Sequence, residues 1–543
     1  MERKMDFVIK KNAPCHKLHK HWQFCVGSGH ASLALRTDYA RQLKFIHDEL
    51  GIERVRFHGI FNDDMNTKSN LSVVFPIPGA EAYKELNFHS CGIAYDNVLA
   101  AGMKPFVELG FMPKDLAGGD DQCVFFYKGN ISMPADMDVW RQYIIDFIHY
   151  LQHRYGEEEV RTWYFEVWNE PDLIAFFHNT QQDYFKLYEA TARAVKEADP
   201  LIRVGGPATS GSKWVAAFVR YCQENDVPVD FVSTHQYAGD PLGGITDTEN
   251  DIEAEGKAVK EPTGGMTAEE MRELERQMGE RLSAAPEKTF LSGYRQMRQD
   301  KSELEDIPNN GFRVNSAIVK KQAAGLPVFY TEWNENAIFS AYTNDTRKVA
   351  AYDIKAALDV ENNLDGSSIW CFSDIFEEFH MFPQEFHGGF GMLTINGIPK
   401  PGFYAMKMLA QAGEKRIDLG RDATDGEIGI AAFESETEKQ VLLFRLKMKN
   451  LDLPKETAKV TVEMEQAPRK VILQRIDEDH CNPLKIWEEM GKPEGLNVGE
   501  VTQIKEKSCM NEEEITFEFK DGNVYFKAEL AVNDVYFIRI VKG

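Results

Sequence analysis

The sequence predicts an α/β protein in which a (β/α)8 barrel, or TIM barrel, is followed by an antiparallel β-sandwich domain. Three observations support this prediction. Eight short apolar runs alternate with amphipathic helical segments between residue 24 and about residue 410. Two of these runs end on a glutamate that lies beside a tryptophan and an asparagine. After about residue 415 the apolar residues repeat with a period of two, which is typical of half-buried strands.

The predicted barrel strands are runs of four to seven residues rich in apolar side chains. Helical segments separate them; in the first, Leu43, Ile46 and Leu50 repeat at helical spacing before Gly51 ends the helix. A doubly wound open sheet is the alternative, but it usually carries a glycine-rich phosphate turn, and no GxGxxG follows the first strand. The eight runs are 24–27, 54–59, 105–109, 164–170, 203–207, 231–237, 327–332 and 367–373.

Two or three domains are expected, because 543 residues are too many for one ordinary core. We expect the barrel at 16–412 and the β-sandwich at 413–543, with a strand from 1–15 joined to the sandwich. The pattern at 515–519, followed by the Asp-Gly turn at 521–522, predicts a hairpin of the sandwich.

The segment at about 238–326 is too long for an ordinary connection between a strand and a helix. Thr267 and Glu270 have the spacing of a capping box, so we expect an ordered insertion on the face where the strands end. The acidic run 247–255 lacks the glycine that a calcium-binding loop needs at its sixth position, which favours a solvated loop.

Composition excludes several classes of protein. Hydrophobic residues make up 43% and charged residues 27% of the chain, as in globular proteins. The net charge of -24 disfavours nucleic acid, an anionic membrane surface or a polyanionic substrate as partner, but not a neutral sugar. The N-terminal residues lack the apolar core of a signal peptide, and no run approaches the ~18 apolar residues of a membrane span. Eight scattered cysteines without CxxC spacing indicate neither zinc nor disulfides, so we expect a cytoplasmic protein.

Two carboxylates stand at predicted strand ends. Glu170 follows one apolar run and precedes Pro171, which cannot continue a strand ladder, and Glu332 ends a second run. A carboxylate at the carboxyl end of a buried strand is costly for stability alone, and in a (β/α)8 barrel catalytic residues lie there. Two of them indicate acid/base or nucleophilic chemistry on a glycosidic bond. The alternative is a pair of helix caps or ion pairs.

The second run contains a possible rival to Glu332. Residues 333–335 repeat the Trp-Asn-Glu of the first motif, so Glu335 could be the catalytic residue instead. We favour Glu332, because a strand end holds a side chain rigidly and a misplacement of about 1 Å can cost roughly 10²-fold in rate. Glu335 is then a loop residue or a cap for the next helix.

Six motifs follow one another along the predicted barrel. They are Phe-Cys-Val-Gly at 24–27, Arg-Phe-His-Gly at 56–59, Trp-Asn-Glu-Pro at 168–171, Thr-His-Gln-Tyr at 234–237, Tyr-Thr-Glu-Trp at 330–333 and Phe-Ser-Asp-Ile-Phe-Glu-Glu at 372–378. With these motifs in this order, the chain resembles glycoside hydrolase family 39, the β-xylosidase family of clan A, over roughly residues 20–410. Trp-Asn-Glu-Pro is similar to that family's acid/base motif, and Tyr-Thr-Glu-Trp to its nucleophile motif.

The resemblance and the residue types together imply a role for each group. Glu170 is expected to be the general acid and then the base, which requires a raised pKa, and Glu332 the nucleophile. Asn169 resembles the clan's donor to the sugar 2-hydroxyl. By resemblance Tyr237 positions the nucleophile, and His235 meets the sugar or the acid/base.

Further substrate contacts are expected near the strand ends. His58 is a candidate for a sugar hydroxyl, although a structural histidine is the alternative. Glu377 and Glu378 resemble the family's contacts to the remote hydroxyls, with a solvated acidic pair as the alternative. Trp370 and Phe126 are candidates for the apolar platform under a pyranose ring. The mechanism needs no metal or cofactor, and no His/Asp cluster has ligand spacing along the sequence.

The predicted function is that of an exo-acting, retaining β-xylosidase that acts on neutral xylo-oligosaccharides. An α-L-iduronidase-like or other pentosidase specificity is the alternative within the family, although an iduronide needs a cationic subsite and no basic cluster lies near the motifs. A non-catalytic sugar-binding barrel is the alternative outside it, but such a protein would usually have lost Glu170 or Glu332. Family resemblance further implies a homotetramer.

Overall fold

The computed structural model describes residues 4–70, 78, 84–119, 122–240, 307–339, 341–378, 384–449, 451 and 453–543. Within them, eight parallel strands form a closed barrel, which confirms the predicted fold class. The ring closes where Ser368 and Ile369 of the last strand pair with Cys25 and Val26 of the first. The strands are β1 Cys25–His30, β2 Arg54–His58, β3 Lys104–Leu109, β4 Tyr164–Val167, β5 Arg203–Thr209, β6 Phe231–Tyr237, β7 Val328–Asn334 and β8 Gly366–Ile369.

A helix follows each strand and covers the outside of the barrel with its apolar face. Local signals define the helix ends: Thr180 and Asp183 form a capping box at the start of α4, and Gly51 takes a left-handed φ of 68° at the end of α1. The helices are α1 Thr37–Leu50, α2 His89–Ala100, α3 Met137–Tyr155, α4 Gln181–Ala198, α5 Val215–Glu224, α6 Gly311–Gln322, α7 Arg347–Asp359 and α8 Pro401–Gln411.

An aromatic cluster closes the amino-terminal end of the barrel. Phe24 and Phe329 stack at 4.6 Å between ring centroids, and Phe106, Tyr164 and Phe231 pack around them. All five residues lie within the first three positions of a barrel strand or just before one. The interior is therefore a packed core at this end, and a site for a ligand has to lie at the carboxyl ends of the strands.

Two sheets form the second domain, and their pairing is antiparallel except that Lys4–Ile9 pairs in parallel with Glu456–Glu463. The boundary at 412–413 stays a prediction; α8 ends at Gln411, and a sandwich strand begins at Lys415. One sheet has the order Cys15–Lys17, Lys415–Ile417, Gly429–Glu434, Glu438–Phe444, Val535–Val541, Lys470–Ile476, Glu513–Glu514, and the other has Lys4–Ile9, Glu456–Glu463, Asn523–Leu530, Glu518–Lys520.

Several smaller elements complete the fold. The sequence pattern did not predict two helices of the second domain. Along the chain they connect two strands that are neighbours in the larger sheet. Two short hairpins extend from the carboxyl face of the barrel, after β2 and after β3. The elements are the helices Pro483–Glu489 and Val498–Lys507, the short helix Glu157–Val160, and the hairpins Lys68–Asn70 with Lys84–Leu86 and Cys123–Val124 with Gly129–Asn130.

The predicted insertion at 238–326 is only partly described. Its last part contains α6, Gly311–Gln322, which is the ordinary barrel helix between β6 and β7. Residues 241–306 lie outside the described residues, and so do the predicted capping box and the acidic run at 247–255. None of the helices in the described part of the chain has the length and apolar character that crossing a membrane requires.

Candidate active site

Glu170 lies in the loop after β4, in a backbone conformation that few residues adopt. The strand ends at Val167, three residues before the predicted end, so Glu170 belongs to the loop rather than to the ladder. Trp168 and Glu170 have φ values of 73° and 40°, in the left-handed region that is uncommon for residues other than glycine. The Glu170 N–H donates to the carbonyl of Ala208 at 2.8 Å, which ties this loop to β5. The surrounding structure thus holds the acid in a defined position.

Glu332 lies inside β7, at the carboxyl end of the strand. Its Oε1 accepts a hydrogen bond from Arg56 Nη1 at 2.9 Å, and its Oε2 accepts one from the Tyr237 hydroxyl at 2.9 Å. Burial raises the pKa of Tyr237, so this hydroxyl stays protonated and remains a donor. Both oxygens of Glu332 are therefore oriented by groups from two other strands.

The two predicted catalytic glutamates meet in space. One carboxylate oxygen of Glu170, one of Glu332 and a nitrogen of His235 all lie within 4.8 Å of one another. His235 Nδ1 is 2.9 Å from Glu170 Oε1 and 3.6 Å from Glu332 Oε2. Retaining glycosidases place their carboxyl groups about 5–5.5 Å apart, and inverting enzymes about 6.5–9.5 Å. The observed spacing fits the retaining arrangement.

The same three groups form the one cluster in the described part of the chain whose geometry would suit a cation. The sequence showed no ligand spacing because β6, β7 and the loop after β4 contribute one group each. Hydrolysis by two carboxyl groups, one acting as acid and the other as nucleophile, requires no metal.

Glu170 has the electrostatic environment of a general acid. Burial raises the pKa of Glu170 well above its ordinary value, and the nearby charges of Asp172 and Asp240 raise it further. Arg56 and Lys213 oppose this effect. The side chain consequently keeps its proton at a pH where an exposed glutamate is ionised.

Arg56 links the site into one network, and the sequence reasoning assigned it no role. Its Nε donates to Glu166 Oε2 at 2.5 Å, and its Nη2 donates to Asn169 Oδ1 at 2.9 Å and lies 2.9 Å from Glu108 Oε2. Burial opposes the charge of the guanidinium, but Glu166, Glu108 and Glu332 outweigh it and raise the pKa of Arg56. The available signal was an arginine in the middle of a predicted barrel strand, between Val55 and Phe57.

Arg56→Met is expected to lower the free energy of unfolding by about 3–5 kcal/mol, because it leaves buried carboxylates without their shared cation. Urea denaturation of both proteins measures the difference. Arg141→Met is the control, since Arg141 is 38% exposed and pairs with Glu197 on the surface, where a loss of under about 1 kcal/mol is expected. Equal losses in the two variants would contradict a stabilising role for the Arg56 network.

His58 lies among the carboxyl groups of the site, and only one of its ring nitrogens has a hydrogen-bond partner among the described residues. Its Nδ1 is 2.7 Å from Glu108 Oε2, while its Nε2 is 3.7 Å from Glu332 Oε1 and 3.6 Å from Glu378 Oε1. Burial lowers the pKa of His58 and raises that of Glu108, so the imidazole is neutral near pH 7. One ring nitrogen of His58 is therefore bound by Glu108, and the other lies near the carboxyl groups of Glu332 and Glu378.

Glu378 and Glu377 are separated by the structure although they are neighbours in sequence. Glu378 is buried, and its Oε1 has no hydrogen-bond partner among the residues that the structure describes. Burial raises its pKa well above the ordinary value, with Glu332 adding to the effect. Glu377 is half-buried and lies 3.8 Å from Arg36 at the rim. Only Glu378 is oriented towards the pocket groups.

The aromatic candidates also occupy different positions. Trp370 is buried, and its ring centroid lies 4.9 Å from that of His58, so it forms a wall of the site. Phe126 is 68% exposed; its backbone N–H donates to the carbonyl of Glu378 at 2.7 Å, which places it at the rim. Its neighbour Phe125, which the sequence reasoning missed, stacks on His58 at 6.1 Å.

Glu335 is held away from the site by an ion pair. Its Oε1 lies 2.7 Å from Lys348 Nζ at the start of α7, and both side chains are buried. Asn336 Nδ2 donates to the other oxygen at 2.6 Å. Glu335 follows the last residue of β7, in the loop where it was expected, and both of its carboxylate oxygens are occupied. It is a structural residue, which leaves Glu332 as the carboxylate beside Glu170.

A closed barrel with one protonated and one oriented carboxyl group at the carboxyl ends of β4 and β7 defines a glycoside hydrolase. Comparison with known proteins then identifies the family. The family model for glycosyl hydrolases family 39 matches residues 5–263 and 286–521, and the chain belongs to this family, as its motifs predicted.

Individual relatives agree with the family assignment. The chain is 35% identical over 548 residues to a β-xylosidase of Caldicellulosiruptor saccharolyticus, with 100% of both chains covered. It is 32% identical over 530 residues to a β-xylosidase of Geobacillus stearothermophilus, covering 96% of this chain and 93% of that one. The crystal structure of a monomeric β-xylosidase from Caulobacter crescentus CB15 is similar with a TM-score of 0.74 and 26% identity, over 99% of both chains.

Proposed function

We propose that this glycoside hydrolase is an exo-acting, retaining β-xylosidase that releases xylose from short xylo-oligosaccharides. The observation that carries the proposal is the pair of buried carboxyl groups of Glu170 and Glu332, with oxygens within 4.8 Å of each other. The similarity to β-xylosidases over the whole length of the chain supports the choice of sugar.

In the first step, Glu332 attacks the anomeric carbon while Glu170 donates its proton to the leaving oxygen. The hydrogen bonds from Arg56 and Tyr237 orient the two oxygens of Glu332, which supports its role as nucleophile. Arg56 also binds Asn169 Oδ1, so the amide Nδ2 remains as a donor, as a contact to the sugar 2-hydroxyl requires. In this step the β-linked bond to the leaving oxygen breaks and an α-linked ester forms at Glu332.

In the second step, Glu170 acts as a carboxylate and removes a proton from the attacking water, which releases the sugar from Glu332. His235 contacts Glu170 at 2.9 Å, and burial lowers the pKa of His235, so the imidazole is neutral. A neutral imidazole donates a hydrogen bond to Glu170 without competing for its proton. Two inversions at the anomeric carbon give overall retention.

The remaining predicted residues are proposed to bind the terminal sugar. His58 and the unpartnered oxygen of Glu378 are suited to remote hydroxyls, and Trp370 supplies an apolar wall. Phe126 and Glu377, at the rim, are proposed to contact the substrate beyond the scissile bond or at the pocket entrance.

Charge disfavours a uronic acid in this pocket. Four carboxyl groups, those of Glu108, Glu166, Glu332 and Glu378, surround the single guanidinium of Arg56, which already contacts the first three. A further carboxylate on the substrate would enter an acidic, low-dielectric site. The neutral xyloside is therefore favoured over an iduronide.

Homotetramer formation and a cytoplasmic location also remain proposals. The first comes from the family resemblance, and the second from the eight cysteines, all of which are free. Light scattering tests the tetramer directly, and a monomer, as in the Caulobacter crescentus protein, would contradict it.

Hydrolysis of an aryl β-xyloside tests both the sugar and the stereochemistry. We expect a screen of aryl glycosides to give the highest kcat/KM for the β-xyloside, and the first-formed xylose to be the β-anomer, because direct attack by Glu332 leads to double displacement. Proton NMR during early turnover distinguishes the anomers before they equilibrate. Initial α-xylose would contradict the retaining mechanism, and a preference for an α-L-iduronide would contradict the proposed specificity.

A further inference from the structure

A second group of charged side chains lies next to Glu170, outside the proposed sugar pocket. Asp172 follows Glu170 by two residues in the loop after β4, and its side chain is buried. Its Oδ1 accepts from the Ser210 N–H at 2.8 Å, and its Oδ2 accepts from the Ser210 hydroxyl at 2.5 Å and from Lys213 Nζ at 3.0 Å. These contacts occupy both carboxylate oxygens, so Asp172 is not built to bind substrate.

Lys213 balances this charge only in part. Its side chain is 42% exposed, so water screens much of its charge, whereas that of Asp172 is 1% exposed. A second carboxyl group, that of Asp240, accepts from the Tyr237 N–H at 2.6 Å and lies on the same side of the site. A methyl group added at Gly211 would lie 3.6 Å from Lys213 Cε and 3.7 Å from Asp240 Cγ, so Lys213 and Asp240 border one small space.

The groups that face Glu170 come from six parts of the barrel. Of these, Asp172 and Asp240 are the charges that act most strongly to keep Glu170 protonated, after burial itself, and Arg56 and Lys213 are the strongest opposing charges. Glu170 is surrounded by Arg56 from β2, Asp172 from its own loop, Lys213 from the loop after β5, His235, Tyr237 and Asp240 from β6 and the residues after it, Glu332 from β7 and Glu378 from the segment after β8.

We propose that Asp172 is a positioning residue that sets the pH range over which Glu170 remains protonated, and that the positive charge of Lys213 acts on Glu170 in the opposite direction. This inference rests on the proposed role of Glu170 as general acid. A buried carboxylate whose oxygens are held by fixed donors cannot move away from Glu170, so its field is constant during the reaction. The pair of Asp172 and Lys213 thus tunes the acid without touching the substrate.

The pH dependence of kcat/KM for 4-nitrophenyl β-xyloside tests the inference, because its alkaline limb reports the acid of the free enzyme. Asp172→Asn retains the size and the acceptor oxygen but removes the charge. Its alkaline limb is expected at lower pH, by on the order of half to one pH unit. Lys213→Met is expected to move the limb in the opposite direction, and Lys213→Arg to leave it in place. The acid limb is expected to stay constant in all three variants.

Asp365→Asn is the control for loss of a carboxylate with similar hydrogen-bond donors, although Asp365 is 44% exposed and Asp172 is 1% exposed. Asp365 Oδ2 accepts from the Val328 N–H at 2.9 Å and from Lys320 Nζ at 2.7 Å, a set of partners like that of Asp172. It lies at the amino-terminal end of β7, away from Glu170, so its removal is expected to leave the limb unchanged. If Asp172 had only a structural role, Asp172→Asn would change the stability and kcat but would not shift the alkaline limb of the pH profile.

Glu170→Gln separates failure of the inference from failure of the proposed function. If the alkaline limb persists in Glu170→Gln, Glu170 is not the acid, and both proposals are overturned. If the limb disappears in Glu170→Gln but Asp172→Asn and Lys213→Met leave it at its original position, only the role of Asp172 is overturned. Should Asp172→Asn fail to fold, the upward shift in Lys213→Met carries the test alone.

Discussion

Glu332→Ala is expected to reduce kcat for a β-xyloside by about 10⁴-fold or more, the largest effect of any substitution proposed for this protein. The reason is that the variant has no group to attack the anomeric carbon, while Arg56 and Tyr237 lose the carboxylate that they orient. Added azide is expected to restore turnover of an activated xyloside and to give the α-azide, since the small anion enters from the side that Glu332 vacates.

Covalent labelling separates Glu332 from its neighbour in sequence. A 2-fluoro-xyloside is expected to label Glu332, as peptide mapping would show, because Glu335 is occupied by its ion pair with Lys348 at 2.7 Å. Glu335→Gln is the control: we expect it to lower stability while labelling at Glu332 continues. A label on Glu335 would overturn the assignment of the nucleophile.

Glu170→Ala is expected to reduce kcat/KM for xylobiose by roughly 10²–10⁴-fold, because the alkoxide leaving group needs a proton. The first step with a dinitrophenyl xyloside is expected to be nearly unaffected, since that leaving group departs as a stable anion. Comparison of kcat/KM for the two substrates measures the difference. Equal losses would show that Glu170 is not the acid.

The same assignment predicts a pH dependence. Burial raises the pKa of Glu170, so the protonated form is present below the raised pKa and is lost as pH rises through it. Activity on xylobiose should therefore extend to higher pH than an ordinary carboxyl group would permit, and it should fall on the alkaline side. The wild-type enzyme is expected to show little of this alkaline decline on the dinitrophenyl xyloside, whose leaving group needs no proton.

The barrel and both catalytic candidates could be predicted because their signals are local in the chain. A buried strand is a short apolar run, its helix has a 3.6-residue period, and a carboxylate that ends such a run is conspicuous among apolar neighbours. Glu332 is an example: the run before it predicts β7 and places Glu332 at the carboxyl end of that strand, where the site of such a barrel lies. Family motifs at the same strand ends made the prediction more specific.

The sequence by itself thus determined the fold class, the family and the choice of Glu170 and Glu332 as catalytic candidates. Only the tertiary structure decided that Arg56 joins carboxyl groups from three other strands, since Glu166 and Glu332 lie 110 and 276 residues away from it along the chain. It also decided that Glu378 faces the pocket and Glu377 the rim. Contacts between strands, and the direction of consecutive side chains in a loop, depend on how the whole barrel closes, which no local pattern encodes.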